Sequence, residues 1–274
     1  MKYSFNTITY GGYGSWLPSY PLDETMRRLV RNGYDGIEIV CASPHAWPYY
    51  LNDEKRKQIG QWQKDYNLVI SSVMAAPGGP MGCNPASSSI EEREFTVQHT
   101  KDVIDLANIW GVKTLAYSAG FGVKRADAWK NSLDTLKKIG KYAHEKGVTI
   151  CIEPTGTESN TVDTIEEALL MVEESGLSNV AVMFDTANAF SRIEDPADYV
   201  QTLGKKLKHV HFSDYNRLAP GSGGFDFYPV MQALKDIDYQ GYITMEVGFS
   251  RSTMADSTAR KSLEHLKELE AKLK

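Results

Sequence analysis

The sequence predicts an α/β protein that folds as one (β/α)8 TIM barrel over residues 1–274, and three observations support this prediction. The length of 274 residues is close to the ~250 residues typical of such a barrel. Short apolar segments alternate with longer amphipathic segments eight times, without a linker or low-complexity stretch between them. No G-x-G-x-x-G follows the first apolar segment, which argues against the phosphate-binding turn of an open, doubly wound sheet.

Eight short segments are predicted as strands because each is mostly apolar, as expected in a parallel sheet that is covered on both faces. In chain order these strands are Ser4–Thr9, Gly36–Val40, Val69–Met74, Lys113–Tyr117, Thr149–Glu153, Val180–Phe184, Lys208–His211 and Tyr242–Val247.

Eight longer segments are predicted as helices from apolar residues at helical spacing, with acidic residues early in several and lysine near several ends. They are Pro21–Asn32, Asp53–Tyr66, Ile90–Trp110, Ala126–Lys146, Thr164–Glu174, Pro196–Leu203, Tyr228–Ile237 and Ser257–Lys274. Gly33, Gly111, Gly147 and Gly176 each follow a helix, at the position where a left-handed residue ends many helices.

Composition argues against several classes of protein. The net charge is -5 and acidic and basic residues are interspersed, so no basic surface for nucleic acid is expected. No apolar run approaches the ~18–20 residues that a membrane-spanning helix needs, and the N-terminus does not read as a secretory signal. The three cysteines show no C-x-x-C spacing, which favours buried thiols over disulfides or a zinc ribbon. A cytoplasmic protein without membrane or nucleic-acid partners is therefore expected.

Four consecutive predicted strands end at or near a residue that can bind a metal: Glu153, Asp185, His211 and Glu246. A β/α barrel gathers the C-terminal ends of its strands at one mouth, so these side chains should meet there. Three carboxylates at one place would repel each other unless a cation held them. Each residue alone could instead cap a following helix. His209 shares the face of His211 one layer deeper and is expected to pack beneath the site or support it.

Oxygen ligands with one imidazole suit Mn²⁺, Mg²⁺ or Co²⁺, whereas a structural zinc site is usually rich in thiolates. We expect one divalent ion, with Mn²⁺ as the first choice and Mg²⁺, Co²⁺ or Zn²⁺ as alternatives.

Several sequence blocks resemble the xylose isomerase-like barrels, and within them the ketose 3-epimerases that act on psicose, tagatose or fructoselysine. The blocks are Gly33–Ile39, Pro44–Ala46, Ile152–Pro154, Phe184–Asp185, His209–Phe212, Pro220–Gly223 and Met245–Glu246. The resemblance implies that Glu153, Asp185, His211 and Glu246 bind the metal, and that Glu153 and Glu246 are also the catalytic acid/base pair. It further implies a small sugar substrate and a homo-oligomer, either a dimer or a tetramer.

The resemblance also suggests residues that bind the substrate. Glu158 and Arg217 match positions that contact the sugar near its carbonyl. Asn188 stands where the psicose and tagatose enzymes often have a histidine, which weakens an assignment to those two sugars. His45 and Trp16 follow the second and first strands and are predicted to contact the sugar, although each could instead pack within its loop. The long loop Ala75–Pro85 is either a lid over the site or an ordinary surface loop.

These residues predict a metal-dependent sugar epimerase or isomerase that inverts C3 of a ketose or ketose derivative. A carboxylate cannot remove a proton beside a ketone unaided, but a divalent ion can stabilise the cis-enediolate that forms. One glutamate would remove the proton and the other would return one to the opposite face. The main alternative is a lyase on the same scaffold, either inosose dehydratase-like or cleaving a C-glycoside. A nuclease like endonuclease IV and a non-catalytic carbohydrate-binding protein are weaker alternatives.

Overall fold

The computed structural model describes residues 1–11, 19–75, 83–122, 125–157, 159–248 and 252–274. Within these residues, parallel strands pair in chain order and the last pairs with the first, which closes a barrel and confirms the predicted fold class. The strands are β1 (Lys2–Asn6), β2 (Gly36–Cys41), β3 (Val69–Ala75), β4 (Thr114–Ser118), β5 (Thr149–Glu153), β6 (Val180–Asp185), β7 (Leu207–Phe212) and β8 (Tyr242–Met245).

Helices follow the strands, and most of them cover the outside of the barrel. They are α1 (Ile8–Gly11), α2 (Leu22–Arg31), α3 (Asp53–Tyr66), α4 (Ile90–Trp110), α5 (Arg125–Glu145), α6 (Ile165–Ser175), α7 (Thr186–Ser191), α8 (Pro196–Leu203), α9 (Tyr228–Asp236) and α10 (Ala255–Glu270). Gly111 and Gly176 end α4 and α6 in the left-handed conformation, as predicted. Among the described residues, no helix is both long and apolar enough to cross a bilayer.

The first strand ends earlier than predicted, at Asn6 instead of Thr9. The side chain of Asn6 accepts a hydrogen bond from the Ile8 backbone N–H at 2.8 Å, a local turn that competes with extended backbone. The chain then enters the short helix α1. The prediction for Thr7–Thr9 was therefore wrong because a polar side chain bonds to its own backbone there.

Strand residues alternate between the barrel interior and the helices. Large apolar side chains such as Phe5, Ile37 and Ile39 face outward and pack with the helices in one continuous core. The interior holds smaller apolar residues, including Val40 and Cys151. It also holds a group of buried polar side chains: Ser4, Asn6, Glu38, Ser72, His209, His211 and Thr244. This polar interior lies directly beneath the C-terminal mouth of β5 to β8.

Candidate metal centre

Four side chains meet at the C-terminal mouth of the barrel. Glu153 and Asp185 are the last residues of β5 and β6, and Asp185 lies in register with His211 on β7. Glu246 follows β8 directly, and its backbone N–H donates to the Phe212 carbonyl at 3.1 Å. Each of the four residues offers a ligand atom, and these atoms all lie within 4.8 Å of one another. The convergence expected from strand order is therefore present.

A cavity of about 340 Å³ opens beside these side chains, within the range of small-molecule sites. Its lining combines charged and amide groups with apolar residues: Ile8, Met74, Ser118, Phe121, Glu153, Thr155, Asn188, Arg217, Glu246, Val247 and Gly248. Glu153 and Glu246 thus border a space that a small polar molecule could enter.

The two ring nitrogens of His211 have different surroundings. Nε2 lies 2.8 Å from Glu38 Oε1, inside the barrel. Nδ1 lies 3.4 Å from Glu246 Oε2 and is buried without a hydrogen-bond partner among the described residues. A buried, unpaired ring nitrogen beside three carboxylates is the arrangement expected of a metal ligand. The donor set of oxygens and one imidazole therefore fits a divalent cation.

The three carboxylates do not ionise equally. Burial and the negative charges of Glu246 and Asp185 together raise the pKa of the Glu153 carboxyl to about 8. Burial also raises the pKa of Asp185, to about 6, although the Arg217 guanidinium opposes this. At Glu246 the effect of burial is outweighed by Arg217 and His211, which hold its pKa well below the usual value. Their surroundings thus shift the pKa values of the two glutamates in opposite directions.

Arg217 supplies positive charge at the mouth. Its Nη1 donates to Asp185 Oδ2 and, at 2.6 Å, to Glu246 Oε2. The loop that carries Arg217 is closed by Asp214, whose carboxylate accepts backbone N–H groups from Gly221 and Gly223 at 3.0 and 2.8 Å. Those glycine amides therefore bind a side chain of their own loop. Arg217 lines the cavity as expected of a substrate contact, but it also occupies two oxygens of the candidate metal ligands.

Asn188 lies on α7 and donates from Nδ2 to Glu153 Oε1 at 2.9 Å. Its Oδ1 lies 3.4 Å from Arg217 Nη2. Asp185, one turn earlier, accepts the Ala187 backbone N–H at 2.7 Å through Oδ1 and so caps this helix as well. The two interpretations of Asp185, helix cap and metal ligand, are compatible because each can use a different oxygen.

Of the three other residues with predicted substrate contacts, the structure describes only His45. His45 is 6% exposed and does not line the cavity; its Nε2 lies 2.9 Å from the Tyr20 carbonyl. Trp16 and Glu158 lie outside the described residues, as does most of the Ala75–Pro85 loop. Sequence reasoning missed Glu38, which contacts His211 from β2. Its signal was a charged residue in the middle of an apolar strand.

Comparison with known proteins agrees with this geometry. The profile of the xylose isomerase-like TIM barrel matches residues 26–269. The D-psicose 3-epimerase of Enterocloster bolteae is 28% identical over 244 residues, which cover 84% of this chain and 77% of that protein. The fructoselysine 3-epimerase of Shigella flexneri is 27% identical over 259 residues, covering 91% and 93%.

Solved structures share the fold. The crystal structure of D-psicose 3-epimerase with D-tagatose from Clostridium cellulolyticum H10 superposes with a TM-score of 0.84 over 98% of this chain and 99% of that one, at 20% identity. The resemblance to ketose 3-epimerases inferred from the sequence blocks is thereby confirmed.

Proposed function

The chain belongs to the xylose isomerase-like TIM barrel family, and we propose that it is a divalent-metal-dependent sugar epimerase that inverts C3 of a ketose or ketose derivative. The observation that carries the proposal is the convergence of Glu153, Asp185, His211 and Glu246 within 4.8 Å beside a cavity. Its relatives named above are sugar 3-epimerases, which supports the same class of reaction.

The four converging side chains would hold the ion, with Mn²⁺ as the first choice. Bound there, the ion would act as a Lewis acid that makes the proton beside the sugar ketone more acidic and easier to remove. One of the two glutamates, Glu153 and Glu246, would remove that proton, and the other would deliver a different proton to the opposite face of the same carbon. They come from β5 and β8, which are three strands apart around the barrel, so their carboxylates can approach a bound sugar from different sides.

Asn188 and Arg217 line the same cavity and are proposed to orient the sugar and the carboxylates. Asn188 donates to one oxygen of Glu153, which leaves the other oxygen to exchange a proton. Glu158, His45 and Trp16 remain predicted substrate contacts. We also expect a homo-oligomer in the cytoplasm.

The decisive experiment is proton exchange at C3. The purified protein, with and without added Mn²⁺, is incubated in D₂O with free ketoses, ketose phosphates, fructose conjugates of amines, and inososes, and followed by NMR. We expect Mn²⁺-dependent deuterium incorporation at C3 of one substrate and formation of an isomer of equal mass. Glu153→Gln and Glu246→Gln should both abolish the exchange while thermal unfolding shows that they fold.

Two outcomes would contradict the proposal. The absence of exchange with every ketose and conjugate would remove the epimerase assignment. Exchange accompanied by loss of water or release of an aglycone would instead identify a lyase, because elimination begins with the same proton but changes the mass of the product.

A further inference from the structure

Glu38 is a carboxylate in the middle of β2 that the proposed reaction does not use. It is fully buried inside the barrel, below the mouth. Burying a carboxylate is costly unless hydrogen bonds or opposite charges compensate it, so such a residue needs a physical reason.

The hydrogen bonds of Glu38 account for both of its oxygens. Oε1 accepts from Asn6 Nδ2 at 2.6 Å and faces His211 Nε2 at 2.8 Å. Oε2 accepts from Ser72 Oγ at 2.7 Å and faces His209 Nε2 at 2.7 Å. A carboxylate offers about four acceptor positions, and here each is met by one donor. The burial of Glu38 is therefore compensated by four side chains from β1, β3 and β7.

This arrangement fixes the hydrogen on one nitrogen of His211. Since a carboxylate only accepts, the His211 nitrogen that faces it, Nε2, must carry the hydrogen. In the neutral ring the lone pair is then left on Nδ1, which lies 3.4 Å from Glu246 Oε2 and makes no hydrogen bond among the residues described. A metal ligand needs that lone pair, and a carboxylate behind the ring also makes it a stronger donor.

We propose that Glu38 is a positioning residue that holds His211 with Nε2–H pointing inward and Nδ1 directed at the metal. The inference rests on the proposed metal site and adds to it a residue from the opposite half of the barrel. His209 shares the same carboxylate and lies 3.1 Å from His211, nitrogen to nitrogen. It completes the set of donors without reaching the mouth.

A second metal ion held by Glu38, His209 and His211 is the competing explanation, because these residues also form a compact group. The amide nitrogen of Asn6 argues against it. That group can only donate, and it already points at Glu38 from 2.6 Å. A cation between these side chains would face the amide hydrogens.

The test is Mn²⁺ affinity of the full-length protein, measured from the EPR signal of free Mn²⁺ after removal of metal. Glu38→Gln should weaken binding about 10–100-fold, the usual effect of losing a group that supports a ligand, because it removes the charge behind His211. Ser72→Ala is the matched control. It removes a donor to the same carboxylate but leaves both imidazole contacts, so its Mn²⁺ affinity should stay close to that of the wild type. Thermal unfolding in EDTA reports any purely structural effect separately.

A second measurement needs no variant. In the Zn²⁺-loaded protein labelled with [¹⁵N]histidine, we expect the His211 ring to keep its hydrogen on Nε2 and to bind zinc through Nδ1. Zinc on Nε2, an unchanged Mn²⁺ affinity in Glu38→Gln, or two Mn²⁺ ions per chain would each overturn the inference. If the wild type binds no Mn²⁺ or Zn²⁺ at all, the proposed metal site itself fails. The C3-exchange assay reports on the reaction independently.

Discussion

Arg217 places a guanidinium on two of the carboxylates that are proposed to bind metal. Its Nη1 contacts Asp185 and Glu246, and its side chain is 29% exposed. Because a metal ion would bind the same two carboxylates, the positive charge of the arginine would oppose its binding. Both contacts use Nη1, so the other N–H groups of the guanidinium can donate to a sugar in the cavity while these contacts persist.

Replacing Arg217 should therefore separate metal binding from turnover. In Arg217→Met we expect Mn²⁺ to bind about tenfold more tightly, since a charged hydrogen bond of ~1.5–3 kcal/mol no longer opposes it. We expect kcat/KM for the substrate to fall. Titration with Mn²⁺ and steady-state kinetics at saturating metal measure the two effects. Arg192→Met, which removes an ion pair with Glu194 on the surface, is the control and should change neither quantity. Weaker Mn²⁺ binding in Arg217→Met would show that the arginine supports the site.

Asn188 is the second residue whose effect can be predicted from one contact, its 2.9 Å hydrogen bond to Glu153. Asn188→Ala removes the donor and should lower kcat about 10-fold or more, the equivalent of one hydrogen bond to a charged group. Asn188→Asp has nearly the same shape but places a second negative charge against Glu153, so it should lower kcat further. Circular dichroism checks that both variants fold. Equal activity in all three proteins would exclude a role for this contact.

At the scale of elements, the predicted helices Asp53–Tyr66, Ile90–Trp110 and Pro196–Leu203 coincide with the observed ones. Their ends carry strong local signals: Asn52, Ser89 and Asp195 each accept a backbone N–H of the first turn. The end of β1 was missed because it depends on a hydrogen bond between the Asn6 side chain and the Ile8 backbone. The sequence alone does not show whether an asparagine will continue a strand or end it by bonding to the backbone nearby, as Asn6 does.

Ile193, just after α7, has a strained backbone conformation that little burial of its side chain offsets. It has a φ of 59° and is 95% exposed, although a β-branched residue disfavours this left-handed conformation by ~1–2 kcal/mol. Ile193→Asn should raise the free energy of unfolding by about 0.5–1 kcal/mol, because asparagine tolerates this backbone and little apolar burial is lost. Urea denaturation measures the change.

Ile90→Asn is the control for this effect, because Ile90 is also exposed but lies in ordinary helical backbone at the start of α4. It should not be stabilised. If Ile193→Asn were less stable than the wild type, the isoleucine must be covered in solution, for example by a second copy of the chain.

At the scale of the whole molecule, buried histidines make stability depend on pH. Burial lowers the pKa of His45 from 6.5 to about 4, against its bond to the Tyr20 carbonyl. Burial likewise lowers the pKa of His99, which stacks on Trp47 at 4.6 Å, to about 4, with Asp102 opposing. Below pH 6.5 the unfolded chain takes up protons that the folded chain does not, so the free energy of unfolding falls as the pH decreases from 6.5 toward 4.

Each of these histidines can contribute up to ~3 kcal/mol to that loss. Chemical denaturation between pH 7 and 4 should show the decline, and His45→Gln or His99→Gln should make the slope shallower. His144→Gln, on the exposed side of α5, should leave the slope as it is in the wild type. An unchanged slope in both buried-site variants would assign acid sensitivity to other groups.

The residues at the mouth could be predicted because barrel topology converts strand order into spatial proximity. Knowing that Glu153, Asp185, His211 and Glu246 end successive strands is enough to bring them together. Glu38 could not be found in this way, since its contact with His211 crosses the barrel interior and depends on side-chain direction. The contacts of Arg217 with Asp185 and Glu246 were equally hidden from the sequence, because they depend on where the arginine side chain lies in the folded protein.

The contact between Glu38 and His211 has a consequence for the order of folding. It joins residues on β2 and β7, while the barrel itself closes only when β1 pairs with β8. Such distant pairings form late, after the entropy of the long intervening chain has been lost. A metal ion that needs Nδ1 of an oriented His211 cannot template early intermediates. A bound ion would act instead on the closed barrel and would slow its reopening, so the rate of unfolding should respond to Mn²⁺ more strongly than the rate of folding does.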